Sequence, residues 1–168
     1  MTVERYVFED DGTIPNSRLP ALRYRDVGAA AAPDACQATF AEHGWLGAWR
    51  DGIYPFHHFH STAHEVLGVV RGQATVMLGG PRGERLQVAT GDVLVLPAGT
   101  GHCRQQATDD FLVIGAYPDG MAWDIRRGEA SEREEVLANL AAVPLPGSDP
   151  VHGAGGELPK LWTLAAGT

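Results

Sequence analysis

The residues from Gly52 to Gly72, GIYPFHHFHSTAHEVLGVVRG, decide the reading of this chain. Four histidines and a glutamate fall within nine residues (His57, His58, His60, His64 and Glu65), and only three histidines occur elsewhere. His58 and His60 are two apart, so on an extended strand they point to one side while His57 and Phe59 point to the other. Neutral imidazoles on one face suit a transition metal, and Glu65 adds an anionic oxygen. A solvated polar cluster is the plainer alternative. It does not explain the apolar company of Tyr54, Phe56, Phe59, Val66, Leu67, Val69 and Val70, which reads as a strand pair in a core, where buried polar groups need partners.

A second stretch, Gly91 to Gln106, reads GDVLVLPAGTGHCRQQ. A short apolar strand from Val93 to Leu96 ends at Pro97, a glycine turn follows, and His102 begins the next run. Together the two stretches resemble the paired motifs of the cupins. Gly52, His58, His60, Glu65 and Gly72 fit G-x5-HxH-x4-E-x6-G, and Gly91, Pro97, Gly99 and His102 fit G-x5-PxG-x2-H-x3-N. The one departure is Gln106 in place of asparagine, at a position that is not a metal ligand in the family. The chain is also similar to a group of small bacterial cupins through His58–Val69, the VIGAYP run of Val113–Pro118, Asp149–Val151 and Leu161–Trp162.

The resemblance implies an all-β fold, the double-stranded β-helix or jelly-roll barrel, with an N-terminal arm and one or two short helices. It implies His58, His60, Glu65 and His102 as ligands of one divalent transition metal: Fe, Mn, Ni, Co or Zn. It further implies a small-molecule ligand and a homodimer. It names no substrate, and fold alone does not fix a reaction.

Length and charge bound the alternatives. At 168 residues the chain is expected to be one domain with a sizeable core. A formal charge of −8 with no basic face argues against nucleic acid and anionic membrane as partners. The first residues, MTVERYVFEDDG, carry charge early and lack the apolar run of a signal peptide, and no stretch approaches the length of a membrane span. A cytoplasmic location is therefore expected, with Cys36 and Cys103 as free thiols.

In chain order, residues 1–44 read as an arm and a short helix, 45–120 as the barrel, and 121–168 as a C-terminal helix and a wrapping tail. Tyr6–Phe8 and Leu22–Val27 suggest short strands in the arm, which could cover its own barrel or cross to a partner. Pro33 and Asp34 suit the first turn of a helix over 34–42, ended by His43-Gly44. Trp45, Trp49, Tyr54 and Phe56 form an aromatic stripe expected in the core or a subunit contact. Gln73–Leu78, Arg85–Val88, Asp92–Leu96 and Phe111–Tyr117 read as strands, and turn glycines between them fit a sandwich or barrel. Ser131 and Glu134 have capping-box spacing before the stripe Val136, Leu137, Leu140 and Ala141. The tail from Gly147, rich in glycine and proline, is expected to wrap the surface with Trp162 as its pin.

Around the ligands, His64 either orients a ligand or touches substrate, or lies at the surface. Arg104 and Gln106 share the side of His102 on a regular strand and are candidates to meet a polar ligand, while Cys103 faces away as a packed thiol. Three imidazoles and one carboxylate would leave adjacent positions open on octahedral Fe, Mn, Co or Ni, but would saturate tetrahedral Zn. Two functions compete: a metal-dependent oxygenase or isomerase acting on an oxygen-rich metabolite, or a non-catalytic, metal-stapled binding or sensing module. Metal-free sugar epimerisation, which similar proteins perform with a His–Asp pair, finds no clear general base here.

Overall fold

Residues 2–167 are described by a computed structural model, and among them nine strands and three α-helices succeed one another. The arm supplies β1 (Val3–Tyr6) and β2 (Ala21–Tyr24), and α1 (Pro33–Glu42) leads to β3 (Trp45–Asp51). Then come β4 (Glu65–Arg71), β5 (Gln73–Leu78), β6 (Glu84–Ala89), β7 (Val93–Leu96), β8 (His102–Ala107) and β9 (Leu112–Pro118), with α2 (Arg133–Ala142) and α3 (Glu157–Ala166) at the end. A six-stranded sheet runs β1-β2-β7-β4-β9-β3, and a three-stranded sheet runs β6-β5-β8. All pairings are antiparallel, as expected of a jelly roll.

The two sheets enclose one core. Leu67, Val69, Leu94, Leu96 and Val113 of the large sheet meet Val76, Leu78, Leu86 and Val88 of the small one. The outer face of the large sheet is also covered: Val66, Val70, Val93, Val95 and Ile114 pack on Phe40 of α1 and on Trp45, Leu158 and Trp162. A sheet buried on both faces needs continuous apolar strands, and all four residues of β7, VLVL, are buried. The small sheet has one wet face, so β5 alternates between buried and more open positions.

The arm covers its own barrel: β1 pairs with β2, and β2 extends the large sheet through β7. Between them, buried Asn16 donates to the Gly79 carbonyl at 3.0 Å and accepts from the Gly101 N–H at 3.1 Å. It thereby stitches the arm to the turn before His102.

Two C-terminal expectations need correction. The capping box does not form. A 3₁₀ turn over Ala130–Glu132 leads into α2, no side chain caps it, and Glu132 instead accepts from Arg126 at 2.6 Å. The tail expected to wrap the surface contains a helix, α3, whose Leu158 and Trp162 lie one turn apart and are fully buried. Trp162 does pin it, donating from Nε1 to the Pro20 carbonyl at 2.8 Å. Among the preceding glycines, Gly156 serves close packing. Asp149 gathers the N–H groups of Val151 at 2.8 Å, His152 at 3.0 Å and Leu158 at 3.3 Å, and a Cβ on Gly156 would lie 2.4 Å from the Asp149 Cβ.

No helix among the described residues is long and apolar enough to cross a membrane. Cys36 and Cys103 are both free and buried, and burial pushes the Cys36 thiol up to about 12, which leaves it unreactive.

Candidate metal centre

The segment 54–60 runs extended beside β8 without being a full strand. The Arg104 N–H donates to the Tyr54 carbonyl at 3.0 Å, and His58 and His102 exchange backbone hydrogen bonds at 3.2 and 2.9 Å. The parity expected from the sequence holds. His58 and His60 point into the barrel, while Phe59 packs the other way on Ile14 and Val136. Glu65 opens β4 on the large sheet and His102 opens β8 on the small one, so the four groups meet only across the closed barrel.

Three imidazoles, from His58, His60 and His102, offer ring nitrogens within 4.8 Å of one another, and all three are buried. That is close to the span one ion can bridge with bonds of about 2.1 Å. Glu65 approaches from one side, its oxygens 3.2 Å from His60 Nε2 and 3.3 Å from His102 Nε2.

The rings are oriented by main chain. His58 Nδ1 donates to the Phe56 carbonyl at 2.9 Å, His102 Nδ1 to the Thr100 carbonyl at 3.1 Å, and His60 Nδ1 to the Asp124 carbonyl. A carbonyl can only accept, so in each neutral ring the proton sits on Nδ1 and Nε2 presents its lone pair to the others. This donor set fits a divalent transition metal.

The charges agree. Burial works to raise the Glu65 carboxyl, but positive charge on His60, with the Nε2 edges of His102 and His60 turned to the carboxylate, overcomes it and holds the group below the usual carboxylate range. Burial works to lower His60, yet the Glu65 carboxylate raises it overall. Burial and the neighbouring His102 depress His58 to about 3. A buried carboxylate thus seeks a cation among these rings, and a metal ion meets that need without a proton.

Several participants went unnoticed in the sequence. Tyr117, on the inner face of β9, donates to Glu65 Oε2 at 2.9 Å and accepts from Trp49 Nε1 at 2.7 Å. Burial and then the Glu65 charge push its phenol up, so it stays a donor. Trp49 can lie there because its cross-strand partner is Gly115, where a Cβ would sit 2.2 Å from the indole. Trp123 stacks on Tyr117 at 5.5 Å and turns its edge to His60 at 5.4 Å. The aromatic stripe therefore divides, Trp45 going to the core while Trp49 and Tyr54 line the site.

These groups line an open cavity of about 740 Å³, whose walls also include Leu67, Arg104 and Phe111. Arg104 faces it as expected, but two other candidates do not. Gln106 is turned out by a β-bulge. Arg104 pairs with Val76 and Gln106 with Thr75, so the unpaired Gln105 reverses the alternation. His64 faces away from Glu65 and is 2% exposed, which removes both the ligand-touching and the surface reading. Its Nδ1 accepts from the Ala98 N–H at 2.9 Å, its Nε2 donates to the Pro144 carbonyl at 3.1 Å, and its ring packs 4.8 Å from Trp162.

Comparison with known proteins places the chain. The cupin domain family matches residues 51–114. Uncharacterized protein YjlB of Bacillus subtilis (strain 168) is 37% identical over 164 residues, which cover 95% of this chain and 96% of that protein. Among solved structures, acireductone dioxygenase from Bacillus anthracis, with a cadmium ion in its active centre, is 17% identical over 53% of this chain and 59% of its own (TM-score 0.37). Vicilin from Solanum lycopersicum is 18% identical over 78% of this chain and 35% of its own (TM-score 0.41). The chain spans less than two thirds of either solved chain, and at these scores the likenesses carry no argument about activity or ligand. With a relative matched along nearly its whole length, and both motifs folded onto one cavity, the chain belongs to the cupin family.

Proposed function

We propose that this protein is a metal-dependent enzyme of the oxygenase or isomerase type, acting on a small oxygen-rich metabolite. His58, His60, Glu65 and His102 would hold one divalent ion of Fe, Mn, Co, Ni or Zn. The observation that carries this reading is that these donors line an open cavity of about 740 Å³ instead of lying sealed in the core. When bound, such an ion supplies Lewis acidity toward a substrate oxygen or a site for dioxygen. The protein's own groups do the rest. Backbone carbonyls fix the three rings, Tyr117 steadies Glu65, and Trp49, Tyr54 and Trp123 narrow the cavity and limit water. A cytoplasmic homodimer completes the proposal, with exposed Leu46 and Ile125 as candidate contact residues.

The test is metal analysis of untagged protein purified without chelator, followed by oxygen-uptake and isomerisation screens on the loaded protein. Stoichiometric Fe, Mn, Co or Ni with exchangeable solvent supports the enzyme. Four-coordinate Zn without exchangeable water, and no turnover, would replace it with the binding or sensing module. No metal after reloading would end both readings.

A further inference from the structure

Arg104 is an inner-face cation with no carboxylate partner among the described residues. It stands two residues beyond His102 on β8, on the same side, about 7 Å further along the strand. Its cross-strand neighbour Val76 is fully buried, so the guanidinium stem rises from the apolar interior. Nε donates to the Ile53 carbonyl at 3.1 Å, which fixes the plane of the group. Among the described residues no carboxylate pairs with it and its two terminal nitrogens have no acceptor, although both atoms can donate. The other cavity-lining arginine, Arg50, is already paired with Asp34 at 2.7 Å. The terminal nitrogens of Arg104 therefore face the open cavity, available to a ligand.

We infer that Arg104 is the specificity residue of the cavity and that the ligand is a small carboxylic acid with an apolar, flat body. One guanidinium with both terminal nitrogens free matches a planar carboxylate in two parallel hydrogen bonds. A phosphate dianion fits poorly, since no second unpaired cation joins Arg104 and the carboxylates of Asp51 and Asp109 also line the cavity. The cavity that holds Arg104 and the histidines is also lined by Leu67, Trp49, Tyr54 and Phe111, which suits an unsaturated or aromatic body. The ligand's remaining oxygen functions would face the metal. That last point rests on the proposed metal site, whereas the carboxylate contact does not.

The experiment uses benzoate as probe, with benzamide and inorganic phosphate as controls. Binding to the full chain, metal-free and zinc-loaded, is followed by tryptophan fluorescence and calorimetry. Saturable benzoate binding is expected in both forms, with benzamide and phosphate weaker by about tenfold or more. Arg104→Gln should weaken benzoate by about tenfold or more with metal content unchanged, and Arg104→Lys should lose less. Equal binding of benzoate and benzamide, no benzoate binding, or an unaffected Arg104→Gln would overturn the inference. If Arg104→Gln fails to fold, the benzoate–benzamide comparison on the natural chain decides alone. Arg104-dependent binding in a protein that takes up no metal would sink the metal reading and leave this one standing. Metal uptake without any dependence on Arg104 would do the reverse.

Discussion

Replacing Tyr117 with phenylalanine removes one oxygen and keeps the ring that stacks on Trp123. That oxygen donates to a carboxylate whose side chain is 3% exposed, and it accepts from Trp49 Nε1. A hydrogen bond to a buried charge is worth about 1.5–3 kcal/mol, and the half-buried indole recovers most of its loss from water. If this energy supports Glu65 in its charged, ligating form, metal affinity at neutral pH falls by about 10- to 100-fold. The assay is competition against a chromophoric chelator, with Zn and with Mn. The same substitution is then made in a Glu65→Gln background, where no carboxylate remains to be steadied. There the Tyr117→Phe effect should shrink to within about twofold. An equal loss in both backgrounds would mean that Tyr117 acts on the cavity generally and not through Glu65. No loss in either would mean that the hydrogen bond contributes nothing to the ion.

Other perturbations test other links. His58→Ala or His102→Ala should lower metal content and melting temperature together, and unchanged metal content in either would remove that residue from the ligand set. Trp162→Ala empties a fully buried site and strands the Pro20 carbonyl, so chemical denaturation should show a loss of about 3–5 kcal/mol. A loss under about 1 kcal/mol would mean that α3 is not part of the cooperative unit. Burial lowers His64 to about 4 from its ordinary 6.5. The unfolded chain therefore takes up a proton that the folded chain refuses, and stability is full above pH 6.5 and declines as pH falls toward 4. Between pH 7 and 4.5 metal-free protein should lose about 2 kcal/mol from this group, a loss absent in His64→Gln. An identical acid profile for the two would refute the assignment.

The four proposed ligands were legible because their chemistry lies in spacing. Parity alone separated His58 and His60 from His57 and Phe59, and the resemblance supplied Glu65 and His102. Tyr117, Trp49 and Trp123 were not legible in this way. Trp49, opposite Gly115, and Tyr117, beside Glu65, reach the site across strand pairings, and Trp123 from the loop after β9, none of which a local pattern encodes. Gln106 was misplaced because one bulge reverses every later side chain on its strand. His64 was misjudged because a polar residue beside a ligand suggests a role at the site, whereas here its two nitrogens are consumed by backbone at Ala98 and Pro144. The final helix was obscured by the glycines and prolines before it. Yet Leu158, Leu161, Trp162 and Ala165 repeat at helical spacing, and that signal was available.

All three site imidazoles are oriented by carbonyl oxygens, at Phe56, Thr100 and Asp124. Every residue contributes the same backbone carbonyl whatever its side chain, so no single substitution at those three positions deletes an acceptor. The side chains at Phe56, Thr100 and Asp124 can therefore change while the carbonyls that aim the rings are kept. The aim of the imidazoles is thereby a property of the path of the chain, whereas the support of Glu65 rests on the side chains of Tyr117 and Trp49, which a substitution can remove.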